Sequence, residues 1–190
     1  MSAPVLVAEA HRPTLVAVAR EAVRSGLAGE QPASPELSSV PPALRAPAAT
    51  FVTLRRRGEL LGCIGTMQPR RPLVVDVAHN AAAAAFADPR LPPVTWDDYA
   101  EMSVKISVLG PLQLLPVRSR SELARAVRPG IDGLLVTSEG HRGTFLPSVW
   151  EQVSDPEEFL TLLWHKAGLQ ADEWPADLVV HRYRTDEFGD

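Results

Sequence analysis

Two stretches of this chain repeat one order of elements, and that repetition constrains the fold more than any other feature. In the first, Thr50 to Leu54 and Leu60 to Thr66 flank a turn at Gly58 and read as a β-hairpin. An alanine-rich helical stretch follows from Pro72 to Phe86, and then an alternating strand from Ser103 to Leu109. In the second, Gly133 to Thr137 and Gly143 to Leu146 form a hairpin around Gly140, Asp155 to Leu169 a helix, and Leu178 to Tyr183 a strand. The expected fold is therefore α+β, mainly antiparallel sheet with flanking helices. It is compatible with a duplicated β-β-α-β unit, the first copy over about residues 50–109 and the second over about 132–184.

Punctuation sharpens the rest. Pro13 suits a first helical turn, and Leu15, Val18, Ala19, Ala22 and Val23 share one face, so an opening helix is expected over 13–26. Between residues 31 and 47, Pro32, Pro35, Pro41, Pro42 and Pro47 exclude a helix or central strand and leave an extended surface loop, a candidate lid just before the first hairpin. In the second helix Asp155 is a good N-cap, Pro156 takes the first position, Glu158 completes a capping box and Gly168 follows the last turn. Phe159, Leu162 and Leu163 are expected to dock on the sheet.

With 45 % apolar and 22 % charged residues the composition is that of a soluble globular chain. The formal charge of −4 argues against a nucleic-acid binder, and the one dense basic run, Arg55 to Arg57, reads as a solvated turn. No run approaches the roughly 18 apolar residues of a membrane span, no basic region leads into an apolar signal segment, and a single cysteine cannot form an internal disulfide. A cytoplasmic location is the expectation. No His or Cys pair has metal-ligand spacing, and no phosphate-binding or dinucleotide loop or nucleophile elbow occurs, so no metal and no cofactor are expected.

Chemistry concentrates at that single cysteine. Cys63 lies in Leu60-Leu61-Gly62-Cys63-Ile64-Gly65-Thr66, where glycines on both sides leave room for a backbone or a ligand to approach. A nucleophilic thiol wants a base, and His79, in the helix after this strand, is the candidate imidazole; His141, His165 and His181 read as surface or packed residues. Asp88 and Arg90 follow the same helix and are candidates for an acid–base group and an anion clamp beside the glycine-flanked strand. Leu61, Gly62, Ile64, Gly65 and Thr66 would line a groove around the thiol, and Thr144 and Trp150 take the corresponding place in the second copy. Trp96, Trp150, Trp164 and Trp174 could stack a ligand, but large aromatics more often fill cores.

The cysteine run, Asp88-Pro89-Arg90-Leu91-Pro92-Pro93, Ser107-Val108-Leu109, Gly143-Thr144-Phe145-Leu146-Pro147-Ser148-Val149-Trp150 and Lys166-Ala167-Gly168-Leu169, in this order, resemble the AMMECR-type domain family, whose microbial members are called AmmeMemoRadiSam system protein A. The resemblance runs from about Leu15 to Phe188 and implies a single domain over residues 1–190 with a larger and a smaller lobe. It also implies association with a Memo-like protein and a radical S-adenosylmethionine enzyme. The family's usual Leu-Arg-Gly-Cys-Ile-Gly has Leu61 here in place of its arginine. By strand alternation residues 61 and 63 share a face, so an arginine at 61 would favour the thiolate and leucine withdraws that support, unless Arg55 or Arg57 takes its place. Three readings stand: a component binding a small molecule or partner segment around Cys63, an enzyme using Cys63 as nucleophile or carrier, and a non-catalytic interaction scaffold.

Overall fold

The computed structural model describes residues 6–30 and 35–190. The start of the proline-rich segment, residues 31–34, and with it part of the candidate lid, lies outside the described residues. The chain divides into two compact units, one of Val5–Leu109 with Asp186–Asp190 and one made mainly of Gly110–Thr185.

In the first unit α1 (Arg12–Leu27) is followed by β1 (Pro47–Ala48), β2 (Thr50–Arg56), β3 (Glu59–Gly65), β4 (Arg71–Pro72), α2 (Leu73–Phe86), α3 (Trp96–Ala100) and β5 (Met102–Leu109). The last strand, β10 (Thr185–Gly189), joins a four-stranded sheet of order β10-β5-β2-β3, while β1 and β4 form a separate ribbon. Alternation does the sorting. Val52 and Leu54 of β2 and Val104, Ile106 and Val108 of β5 point to one face, where they pack with Val74, Val77, Ala81 and Ala84 of α2 and Leu15, Ala19 and Val23 of α1. The other face of the sheet carries Phe51, Thr53, Arg55, Ser103, Lys105 and Ser107, register partners across β2 and β5. The hairpin closes through Arg57 and Gly58, both at positive φ (51° and 88°), a two-residue turn whose twist matches its strands.

The second unit contains β6 (Gln113–Leu114), α4 (Arg120–Ala126), β7 (Gly133–Ser138), β8 (His141–Phe145), α5 (Pro156–Ala167) and β9 (Val179–Tyr183), with sheet order β6-β9-β7-β8. Three strands and one helix therefore repeat: β2, β3, α2, β5 and β7, β8, α5, β9 have the same order and the same antiparallel pairing. The correspondence extends to single residues. Gly62 pairs with Leu54 and lies against the Ala84 carbonyl of α2; Gly143 pairs with Val136 and lies against Ala167 of α5. The turn glycines Gly58 and Gly140 are separated by one residue more than Gly62 and Gly143, because β3 carries a bulge: Leu54 pairs with Gly62 and Arg55 with Leu60, leaving Leu61 as the extra residue.

Asp155 caps α5 by accepting the Glu158 N–H at 2.9 Å, Pro156 opens it, and Gly168 closes it at φ +78°. Among the described hydrogen bonds Glu158 does not return the reciprocal contact; a complete capping box is formed at the start of α3 by Thr95 and Asp98. The buried stripe of α5 is Phe159, Leu160, Leu163, Trp164 and Ala167, so Leu162 falls past its edge and is exposed, contrary to the docking expected for it. Trp150 stacks on Phe159 (3.7 Å between centroids) and Trp164 on Trp174 (5.7 Å) in the second unit, while Trp96 of the first is 52 % exposed, edge-on to Tyr99. Among the described residues no helix is long and apolar enough to cross a membrane.

Candidate functional site

Cys63 pairs with Thr53, so its side chain stands on the sheet face opposite α1 and α2. The thiol is half-buried, and the Thr53 hydroxyl donates to its sulfur at 3.2 Å. Its backbone is held separately. β3 is an edge strand, and an edge leaves N–H and C=O groups without a neighbouring strand. At Cys63 the missing strand is replaced by two side chains: the N–H donates to Asp88 Oδ2 at 3.0 Å, and Arg90 Nη2 donates to the C=O at 3.1 Å.

Asp88 and Arg90 also grip each other, Arg90 Nε donating to Oδ1 at 2.8 Å and Nη2 to Oδ2 at 2.6 Å. The Asp88 side chain is 2 % exposed and that of Arg90 57 %, so a buried carboxylate is neutralised by a guanidinium that reaches solvent. The hydrogen bonds from Arg90 hold the Asp88 carboxyl far below the usual carboxylate range; burial opposes this, and the Cys63 and Arg90 N–H groups add to it. Asp88 is therefore an ionised strut, with no proton to give and a full set of donors around it.

The remaining residues of the motif point elsewhere, for reasons of register and space. Leu61 is the bulged residue and packs against the core of the first unit, so it does not share a face with Cys63 as strict alternation requires. Ile64 packs against the same core. The glycines serve packing rather than access: a Cβ on Gly62 would lie 1.9 Å from the Ala84 carbonyl oxygen, and one on Gly65 would lie 2.2 Å from the Phe51 ring that covers it. The Thr66 hydroxyl is bonded to Asp76 at 2.8 Å. His79 is exposed on α2, across the sheet from the thiol, so the structure does not bring this imidazole to Cys63. Thr144 and Trp150 belong to the second unit. The Thr144 hydroxyl is engaged by the Leu134 carbonyl (2.8 Å) and the Tyr183 hydroxyl (2.7 Å), and the buried Trp150 donates its indole N–H to the Asp132 carbonyl at 2.8 Å.

Two features escape a reading of the motif alone. Asp76 is fully buried and accepts from the Thr50 N–H (3.0 Å), the Thr50 hydroxyl (2.8 Å), the Asn80 amide (3.0 Å) and Arg71 (3.1 Å), in addition to Thr66. This cluster ties both strands of the cysteine hairpin to α2, and its signal in the chain is an Asp and an Asn one helical turn apart in a helix made mostly of alanine and valine. The second is a cavity of about 500 Å³ lined by Thr53, Arg55, Ser103, Lys105, Glu187 and Phe188 among others; Cys63 is not part of this lining and adjoins it through its strand partner Thr53. Thus this concave surface lies on β2, β5 and β10, one strand over from the groove expected around Cys63. Among the described residues no group of three or more His, Cys, Asp or Glu could hold a metal ion.

The AMMECR1 family profile matches residues 16–188. The chain belongs to the AMMECR1 family. A relative from Methanothermobacter thermautotrophicus is 36 % identical over 178 residues, 92 % of each chain, and one from Thermofilum pendens is 38 % identical over 186 residues, 92 % of this chain and 87 % of that protein. The crystal structure of protein PH0010 from Pyrococcus horikoshii superimposes with a TM-score of 0.89 at 33 % identity, covering 97 % of this chain and 94 % of PH0010. AMMECR1 membership accounts for the α+β fold with its antiparallel sheets; an activity has to be argued from the site.

Proposed function

We propose that this AMMECR1 protein is a binding component that holds a small molecule or a partner's segment against the Cys63 face of its first unit. The observation that carries this reading is the thiol's setting: half-buried, bonded to a threonine that lines a cavity of about 500 Å³, on a strand whose edge is clamped by Asp88 and Arg90. The sulfur is met by a threonine hydroxyl, while an ionised and fully engaged carboxylate and a guanidinium hold the backbone of the same residue, none of them suited to exchange a proton near neutral pH. Such a site presents and orients. The partners that fit are those the family resemblance implies, a Memo-like protein and a radical S-adenosylmethionine enzyme, the latter supplying any radical chemistry.

A cysteine-dependent activity is the second reading, favoured by the Thr53 hydrogen bond that orients the sulfur. Alkylation of native protein with iodoacetamide tests the shared premise, since the chain has one cysteine. Native labelling within about tenfold of the urea-unfolded rate is expected for an accessible thiol; labelling only after unfolding would end both readings. Titration calorimetry with a purified Memo-like partner then separates them. Under the binding reading Cys63→Ser keeps the unfolding midpoint and retains partner affinity within about threefold, whereas loss of a substrate turnover with the fold intact would favour the enzyme.

A further inference from the structure

Resting on that reading of the Cys63 face, we infer that the cavity beside the thiol is a carboxylate site. It takes a small organic monocarboxylate, with the anionic end on Arg55 and the apolar body along Phe188. The charges on the cavity wall are matched, with one exception. Lys105 is ion-paired with Glu187, and the Glu187 carboxylate also accepts from the Ser107 hydroxyl at 3.1 Å. Asp190 is neutralised by Arg20 at 2.6 Å and accepts the Val104 N–H at 2.7 Å. The two arginines that follow Arg55 are also matched, Arg56 by Asp98 and Glu101 and Arg57 by Glu101.

Arg55 is different. Its side chain makes one hydrogen bond, to the neutral carbonyl of Gly58 at 2.7 Å, and among the described residues no carboxylate pairs with it. It follows Thr53 by two residues on the same strand, so both line the cavity from one face. Two hydroxyl donors stand by: Thr53 spends its proton on the Cys63 sulfur, and Ser103 on the Arg55 carbonyl at a long 3.4 Å. A thiol sulfur and a distant carbonyl are weak acceptors, so an arriving carboxylate outcompetes both. One uncompensated guanidinium matches one negative charge and offers it a planar fork, whereas a dianionic phosphate would leave a charge over unless it broke the Lys105–Glu187 pair.

The test uses the single cysteine as the reporter. Iodoacetate and iodoacetamide both alkylate a thiolate, the sulfur displacing iodide from the same carbon, but only iodoacetate is itself a small monocarboxylate. At low salt the iodoacetate-to-iodoacetamide rate ratio at Cys63 should be about tenfold higher in native protein than in the urea-unfolded chain, the low end of what charge focusing in a cleft delivers. In Arg55→Gln it should fall to the unfolded value. In the control Arg57→Gln, which removes an exposed charge already matched by Glu101, it should stay high. An unraised native ratio with normal iodoacetamide labelling overturns the carboxylate site and leaves the binding reading standing, and so does a raised ratio that survives Arg55→Gln. Failure of both reagents to label native protein removes the reading of the Cys63 face and this inference with it.

Discussion

Gly62→Ala separates two uses of a glycine beside a cysteine, room for a ligand and room for packing. The added methyl would sit 1.9 Å from the Ala84 carbonyl oxygen and 2.7 Å from its carbonyl carbon, both helix backbone, where ordinary contact begins near 3.4 Å. No side-chain rotation relieves that overlap. The hairpin and α2 must separate, loosening the contacts that Leu54, Ala81 and Ala84 make in the core, and the cost is expected at the upper end for overpacking, about 3 kcal/mol. Gly143→Ala, where the nearest atom is the Ala167 Cβ at 2.8 Å, should cost about 2 kcal/mol. Gly58→Ala adds a methyl into open space at φ +88° and should cost only the left-handed penalty, about 1 kcal/mol. Native-state hydrogen exchange at the β2–β3 amides reads the opening of this hairpin, and urea unfolding followed by circular dichroism ranks all three variants. A Gly62→Ala protein no less stable than Gly58→Ala would refute the packing account and restore the glycine to ligand access.

Further outcomes follow from the buried carboxylates. Asp88→Asn should cost about 2 kcal/mol at pH 7, because the Arg90 guanidinium loses its counter-charge and Cys63 keeps a weaker acceptor, and iodoacetamide labelling of Cys63 should accelerate as the strand edge loosens. The sign of the pH effect is fixed by the lowered carboxyl of Asp88: its stabilisation is complete above about pH 5 and is lost as pH falls through the unfolded value of about 3.9 toward the folded one, so the gap between wild type and Asp88→Asn in urea midpoint should narrow below about pH 4. Asp76→Ala should cost about 3–5 kcal/mol by urea unfolding, since Asn80, the Thr50 N–H and Arg71 lose one common partner in a dry site. A loss below about 1 kcal/mol would mean that water replaces the carboxylate.

Local chemistry is legible where a residue's role ends within a few positions of itself. Gly58 and Gly140 mark turns because they sit at positive φ, Asp155 and Gly168 bound α5 because cap bonds are short-range, and the alternation of β2 and β5 sorts core from open face. The candidate site fails this condition at several points. Alternation across β3 holds only while the register holds, and one bulged residue sends Leu61 into the core while Cys63 stays on the other face. His79 lies a short way along the chain from Cys63, yet a helix and the strand it covers show each other only one side apiece. Glu158 matches the capping-box pattern, but nothing in a pattern obliges a solvated side chain to make the second bond.

Hairpins, helix ends and the place of the single cysteine on its strand were thus set by the order of the residues, since each depends on backbone preference and on near neighbours. Which backbone groups of Cys63 meet Asp88 and Arg90, which carboxylate ties the hairpin to α2, and which arginine of three has no counter-charge among the described residues were settled only by folding. These outcomes depend on which groups meet across sequence separations of 10 to 45 residues, at distances of a few ångströms. Linear order carries no record of those distances until hydrophobic packing has brought the strands and helices together.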